Sequence, residues 1–294
     1  MAKPQKSTAQ SEVPGLVKKG PLYYLKRDWQ LYALMLLPIG KGYAGSKFVG
    51  LKIFEKVFKH RDFTKAVVNT LLLNVLDLIF SFPMPIILAL LLNEIRVKWF
   101  KRTTQTLLYL PHFLSWVVIG AVAYQMFATQ SGVVNALIAN AGKSPIPFLQ
   151  EDGWWLFSYV LIGVWQTMGW GTIIYLAAIT NVNSELYEAA KVDGANRWQQ
   201  CLHVTLPCIR STIVVMLIMQ LGKLMGGSFE RIVALSNAKA TEFTTTIPVL
   251  VYKWFQGNKF SESTALGLFQ SVIGVILVIA SDRVAKKLGE DGLL

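Results

Sequence analysis

A chain of 294 residues that is 53% hydrophobic, with a mean hydropathy of +0.43, is too apolar for an ordinary soluble domain. Its formal charge of +12 is not gathered into an arginine-rich, aromatic-interleaved patch on a soluble domain, which argues against a nucleic-acid partner. Much of the charge instead follows the positive-inside pattern of a multi-pass membrane protein, although the bias is modest.

The first 28 residues are polar, carry Lys18-Lys19 and Lys26-Arg27, and lack an apolar core with a cleavage site. A cytoplasmic tail is predicted over 1–28 rather than a signal peptide. Segment 29–63 begins with a short apolar stretch, 29–40, that falls well below the roughly 20 residues a spanning helix needs. In the rest of that segment Lys41, Lys47, Lys52, Lys56, Lys59 and Arg61 suit an outer interfacial helix whose long side chains reach headgroups. Segments 64–93, 107–127, 154–179, 211–236 and 265–281 are long enough to cross about 30 Å of hydrocarbon. The expectation is therefore an all-α membrane protein of about six spans. Its core occupies 64–281, and 282–294 forms a second cytoplasmic tail.

A polar loop over 180–210 separates the fourth and fifth of these segments. Ser184 is placed to cap a short helix, Glu185 and Glu188 suit its first turns, and Gly194 supplies a turn. A second short helix is expected from about 196 to 204, stopping before Pro207. Cys201 and Cys208, the two cysteines of the chain, both fall in this loop, on the reducing side of the membrane, where a structural disulfide is not expected. Together with His203 they match no common zinc spacing, so no metal site is predicted.

Polar residues within spans are costly and mark either a translocation path or internal pairs. If 211–236 is one helix, Gln220, Lys223, Gly227 and Glu230 share a face and Arg231 turns about 100° away from it. Lys223 and Glu230 then lie about 10.5 Å apart along the axis, too far to pair directly. Asp77, deep in the first long segment, is a candidate partner for Lys223. Whether Asp77, Lys223 and Glu230 face a substrate or satisfy one another stays open at this level. Trp116, Trp165, Gln166 and Trp170 are candidates for an aromatic and polar track, although packing is the commoner role of any single tryptophan.

The chain has no G-x-x-x-x-G-K-[S/T] run, and His60, His112 and His203 lie in unrelated segments. No catalytic residue and no bound cofactor are expected on this chain.

Glu188-Ala189-Ala190, three residues, Gly194, nine residues and Val204-Thr205-Leu206-Pro207 together resemble the signature loop of ABC importer permeases, with Val204 replacing an isoleucine. Asn69-Thr70, Pro83, the run 85–94, Gln105-Thr106 and the run 109–118 are similar to the subgroup that imports oligosaccharides and polysaccharides. The chain departs from that subgroup at its shortened first span. The resemblance implies a type I importer permease fold in the bacterial inner membrane, with both termini cytoplasmic. It implies a coupling element that carries Glu188, Ala189, Ala190, Asp193, Gly194, Leu206 and Pro207. The implied partners are a second homologous permease, two ATPase subunits that bind ATP and Mg, and an extracytoplasmic solute-binding protein. Lys223, as an intramembrane cation, inclines the substrate toward acidic, uronate-containing saccharides such as alginate. Peptides or lipid precursors are the alternative cargo. An ion-coupled secondary transporter would show a duplicated half, and none is visible.

Overall fold

A computed structural model describes residues 49–236, 242–287, 289 and 292. The tail 1–28 and the short apolar stretch 29–40 lie outside the described residues.

A short helix, α1 (Lys52–Phe58), precedes the first long span. That span comprises α2 (Arg61–Leu76), a π-turn (Asp77–Ser81) and α3 (Pro83–Glu94), and runs unbroken for 34 residues. Its sequence explains the π-turn. In a regular helix the Pro83 ring would clash with the carbonyl four residues back and leave it without a donor. Here Phe82 donates instead to the carbonyl of Asp77, at 3.0 Å, and this widened turn makes room for the ring.

The segment predicted as a second long span is sharply bent. Helix α4 (Lys98–Tyr109) passes through a 3-10 turn (Leu110–Phe113) and meets α5 (Trp116–Phe127) at 103°. Pro111 and the cap at Ser115, whose hydroxyl accepts from the amide of Val118 at 3.3 Å, end one helix and begin the next. After α6 (Val133–Asn140), helix α7 (Asp152–Thr180) is the central span. It packs closely on α3. The Thr172 hydroxyl donates to the Pro85 carbonyl at 3.3 Å, and a side chain at Gly171 would strike the Pro85 ring.

The polar loop forms α8 (Ser184–Val192), α9 (Arg197–Gln200), a second π-turn (Cys201–Thr205) and α10 (Leu206–Cys208). From there α11 (Arg210–Gly222) enters the membrane at 62° to the preceding helix. The expected single span over 211–236 does not exist. Its helix ends at Gly222, residues 223–228 are irregular, and a short helix, α12 (Phe229–Leu235), follows. The glycine pair at 226–227 explains the break, because Gly227 takes φ +77°, a left-handed conformation that cannot continue a helix. Finally, α13 (Ile247–Gln256) leads into α14 (Phe260–Lys287), a full span.

Three helices are long and apolar enough to cross a membrane among the described residues, or five if each bent pair counts as one span. Outward faces carry Val68, Leu71, Val75 and Ile79 on the first span and Val272 and Ile276 on α14, all exposed, as lipid contact demands. Helix association in lipid relies on close packing rather than expulsion of water. One core joins Leu73, Ile119, Trp155, Tyr159, Ile232 and Leu235. A second surrounds Ile247, Leu250 and Leu266.

Candidate functional site

The helices line an open cavity of about 890 Å³. Its lining takes Asn74, Asp77 and Ser81 from the first span, His112 from the 3-10 turn, Trp116 from α5, Gln166 and Trp170 from α7, Gln220 from α11, and Gln270 from α14. Lys223, Gly227 and Ser228 come from the break, and Arg231 from α12. Of the nine path residues expected from sequence, seven therefore converge here: Asp77, Trp116, Gln166, Trp170, Gln220, Lys223 and Gly227. Trp165 and Glu230 do not line the cavity. Both are exposed elsewhere, Trp165 on another face of α7 and Glu230 beyond the helix break. The shared face expected for Gln220, Lys223, Gly227 and Glu230 fails for the same reason, since no continuous helix connects them.

One wall is aromatic. The imidazole of His112 stacks on Trp170, with centroids 4.6 Å apart and planes 8° apart, and Phe113 meets the same indole edge-on at 6.0 Å. The buried Nδ1 of His112 has no hydrogen-bond partner. Trp170 is half exposed, which leaves a flat apolar surface in a cavity otherwise supplied with amides and hydroxyls. Such a pairing suits a sugar ring, which offers apolar C–H faces and polar edges.

The cavity also carries charge. Asp77 does not pair with Lys223, as the sequence had suggested. Its Oδ2 accepts from Nη2 of Arg231, which donates also to the Tyr159 hydroxyl. The Tyr159 hydroxyl lies 3.5 Å from the same Oδ2, and the Ser81 hydroxyl donates to Oδ1 at 3.2 Å. Arg231 is 2% exposed and Asp77 6%. The guanidinium carbon lies 3.7 Å from the centre of the Tyr159 ring and 5.8 Å from that of Trp116. A β-carbon at Gly163 would fall 1.7 Å from Nη1, so that glycine makes the space the guanidinium occupies.

Sequence reasoning missed Arg231 because it assumed a continuous helix, which turned this residue from the path. The available signal was an arginine in an apolar run that also offered one deep carboxylate, Asp77. Lys223 is exposed at the end of α11, and its ammonium has no partner among the described residues. The charged side chains lining the cavity are thus Asp77, Lys223 and Arg231, an excess of one positive charge.

Away from the cavity, the 180–210 loop protrudes. Asn183, rather than Ser184, caps α8, accepting from the amide of Glu185 at 3.0 Å. Gly194 makes the turn at φ +79°, and Asn196 with Gln199 forms a reciprocal capping box for α9. The second helix does not stop before Pro207. Leu206 donates to the carbonyl of Cys201 across the π-turn, and the widened turn carries the helix past the proline to Cys208. Tyr187 and Thr205 hydroxyls bond at 3.0 Å across the two helices, and Arg197 pairs with Glu94 at the end of α3 at 2.5 Å. Glu188, Ala189, Asp193, Gly194 and Pro207 are exposed, Ala190 and Leu206 less so. Val192 and Trp198 stand 88% and 70% exposed beside them. Exposed apolar side chains thus lie together on a two-helix projection joined to a span.

A helical bundle with a polar cavity among its spans and a rigid projection at one end defines a membrane transport permease. The chain belongs to the family of binding-protein-dependent transport system inner membrane components, whose model matches residues 65–289. Among curated relatives, the polygalacturonan/rhamnogalacturonan transport system permease protein YteP of Bacillus subtilis (strain 168) is 45% identical over 86% of this chain and 79% of its own length. Protein LplB of the same organism is 41% identical over 96% of this chain and 89% of its own. Among solved structures, a chain of a bacterial alginate ABC transporter, in complex with periplasmic protein bound to an alginate pentasaccharide, superposes with a TM-score of 0.81. It is 35% identical, over 93% of this chain and 99% of that one.

Proposed function

We infer that this permease forms half of the path by which an ABC importer takes up oligosaccharides derived from acidic polysaccharides. The observation that carries this reading is the cavity itself, with a stacked aromatic surface and an excess of positive charge. Two of the relatives support it by their named cargo, since polygalacturonan and alginate are both polymers of uronic acids. In this reading a sugar ring lies on Trp170, the amides of Gln166, Gln220 and Gln270 bond its hydroxyls, and Lys223 receives a carboxylate.

The chain works with a second, homologous permease, two ATPase subunits that bind ATP and Mg, and a solute-binding protein that delivers the saccharide from outside. Its own side chains perform no hydrolysis. ATP-driven closure of the ATPase pair moves the 180–210 loop through Glu188, Ala189, Ala190, Asp193 and Gly194. Leu206 and Pro207 continue that loop into α11, so its motion opens the cavity alternately to either side. Both termini lie in the cytoplasm, on the side of the loop.

The test is transport by the complete importer in proteoliposomes, with Lys223→Ala compared against wild type on an acidic and a neutral oligosaccharide of equal length. The acidic substrate should lose several-fold more. Equal loss for both would remove Lys223 from carboxylate recognition and favour a neutral cargo.

A further inference from the structure

We propose that Arg231 is a second, occluded carboxylate site of the translocation path, with Asp77 occupying it in the absence of cargo. The inference rests on the acidic-saccharide reading above and deepens it.

The argument begins with the donors of the guanidinium. Nη2 serves both Asp77 and Tyr159, Nη1 lies against Gly163, and Nε–H, although buried, has no acceptor among the described residues. Arg231 nevertheless lines the cavity. An arginine recognises a carboxylate best through two parallel N–H groups, and Nε with Nη2 forms one such edge. Asp77 cannot use that edge in this arrangement. It reaches Nη2 through Oδ2 alone, while Oδ1 is held by the Ser81 hydroxyl at 3.2 Å. A buried donor without a partner destabilises its surroundings, so an incoming carboxylate that takes Nε and Nη2 together gains what Asp77 leaves unused.

Asp77 is provided for when it is displaced. The Tyr159 hydroxyl, 3.5 Å from Oδ2, and Ser81 on Oδ1 remain to solvate its charge. Arg231 reaches the cavity from an element that is short and set apart from the preceding helix. It sits on the seven-residue α12, separated from α11 by the irregular residues 223–228. Exchange of one carboxylate for another thus breaks the ion pair between α12 and the π-turn of the first span only when an acidic cargo is present. Lys223, exposed and unpartnered among the described residues, meets the carboxylate first, and Arg231 takes it in the occluded step.

The test uses the complete importer in proteoliposomes with one binding protein throughout, so that its own selectivity cancels. The readout is the preference, as a ratio of kcat/KM, for trigalacturonate over its methyl ester. Arg231→Lys keeps the charge but loses the two-donor edge, and it should lower the preference about tenfold. Asp77→Asn removes the competing carboxylate at constant size, and it should raise the preference. If both variants change acid and ester transport in parallel, the pair is structural and the proposal falls. Failure of both variants to assemble, while Tyr159→Phe assembles, overturns it equally. A wild-type importer with no preference for the acid would overturn the acidic-saccharide reading itself. A wild-type preference that neither variant alters would overturn this site alone.

Discussion

The two π-turns, Asp77–Ser81 in the membrane and Cys201–Thr205 in the projecting loop, solve one local problem in two different settings. Each stands just ahead of a proline, Pro83 or Pro207, and widens the helix so that the ring fits. In the membrane the turn carries a buried acid, whose charge is met inside the bundle by Arg231, Tyr159 and Ser81. In the loop Leu202 and His203 of the turn are exposed, and a hydroxyl pair, Tyr187 with Thr205, ties the turn to α8. The same backbone device therefore leaves a closed charge network in one place and an open surface in the other. Breaking the first should cost stability; breaking the second should cost communication with partners.

The largest effect is expected in the closed network. Arg231→Ala or Asp77→Ala each leaves a buried charge without its ionic partner, which costs about 3–5 kcal/mol. The double variant removes both charges and should be less destabilised than either single one. Thermal unfolding of the solubilised complex, arranged as a double-mutant cycle, measures the difference. Single and double variants that simply add would mean that the pair is not coupled, and the contrast between the two turns would lose its energetic basis.

How far this contrast was visible in the sequence differs between the two regions. The loop was legible because its determinants are local: Gly194 marks a turn, a second short helix begins near Asn196, and the spacing from Glu188 to Pro207 is short. Even there the cap fell on Asn183 rather than Ser184, since either side chain suits the position. The cavity was legible in part of its membership but not in its pairing. Asp77 and Arg231 are 154 positions apart, and no periodicity links them. Apolar runs on both sides of Gly226-Gly227 invite a reading of 211–236 as one helix, which conceals the break that turns Arg231 inward. The 103° bend had a local signal in Pro111 and Ser115, outweighed by the apolar run on both sides.

The second effect is smaller in stability and larger in function. At φ +79°, Gly194 has open space around its α-carbon, so Gly194→Val meets no steric neighbour, only backbone strain of about 1–3 kcal/mol. The strain is confined to an exposed turn, so the complex should still assemble. Stimulation of its ATPase by loaded binding protein should fall severalfold. Wild-type stimulation in this variant would mean that the angle between α8 and α9 does not transmit motion.

The smallest effect is expected where the loop touches the first span. Arg197 and Glu94 meet at 2.5 Å, but their side chains remain 53% and 45% exposed. Water and salt screen such a pair, whose contribution to stability is about 0–1 kcal/mol. Arg197→Ala should therefore leave thermal unfolding nearly unchanged. Its position gives it a different part to play, because it joins the capped start of α9 to the last residue of α3, whose neighbour α7 carries Trp170 and Gln166. If motion of the loop reaches the cavity through this contact, Arg197→Ala lowers transport per ATP hydrolysed at constant stability, and raising the ionic strength reproduces the loss in wild type. The charge-swapped pair Glu94→Arg with Arg197→Glu should recover part of the coupling. Unchanged transport per ATP in the single variant at low salt would assign the transmission to α10 and α11 alone, which continue the loop directly into the broken span.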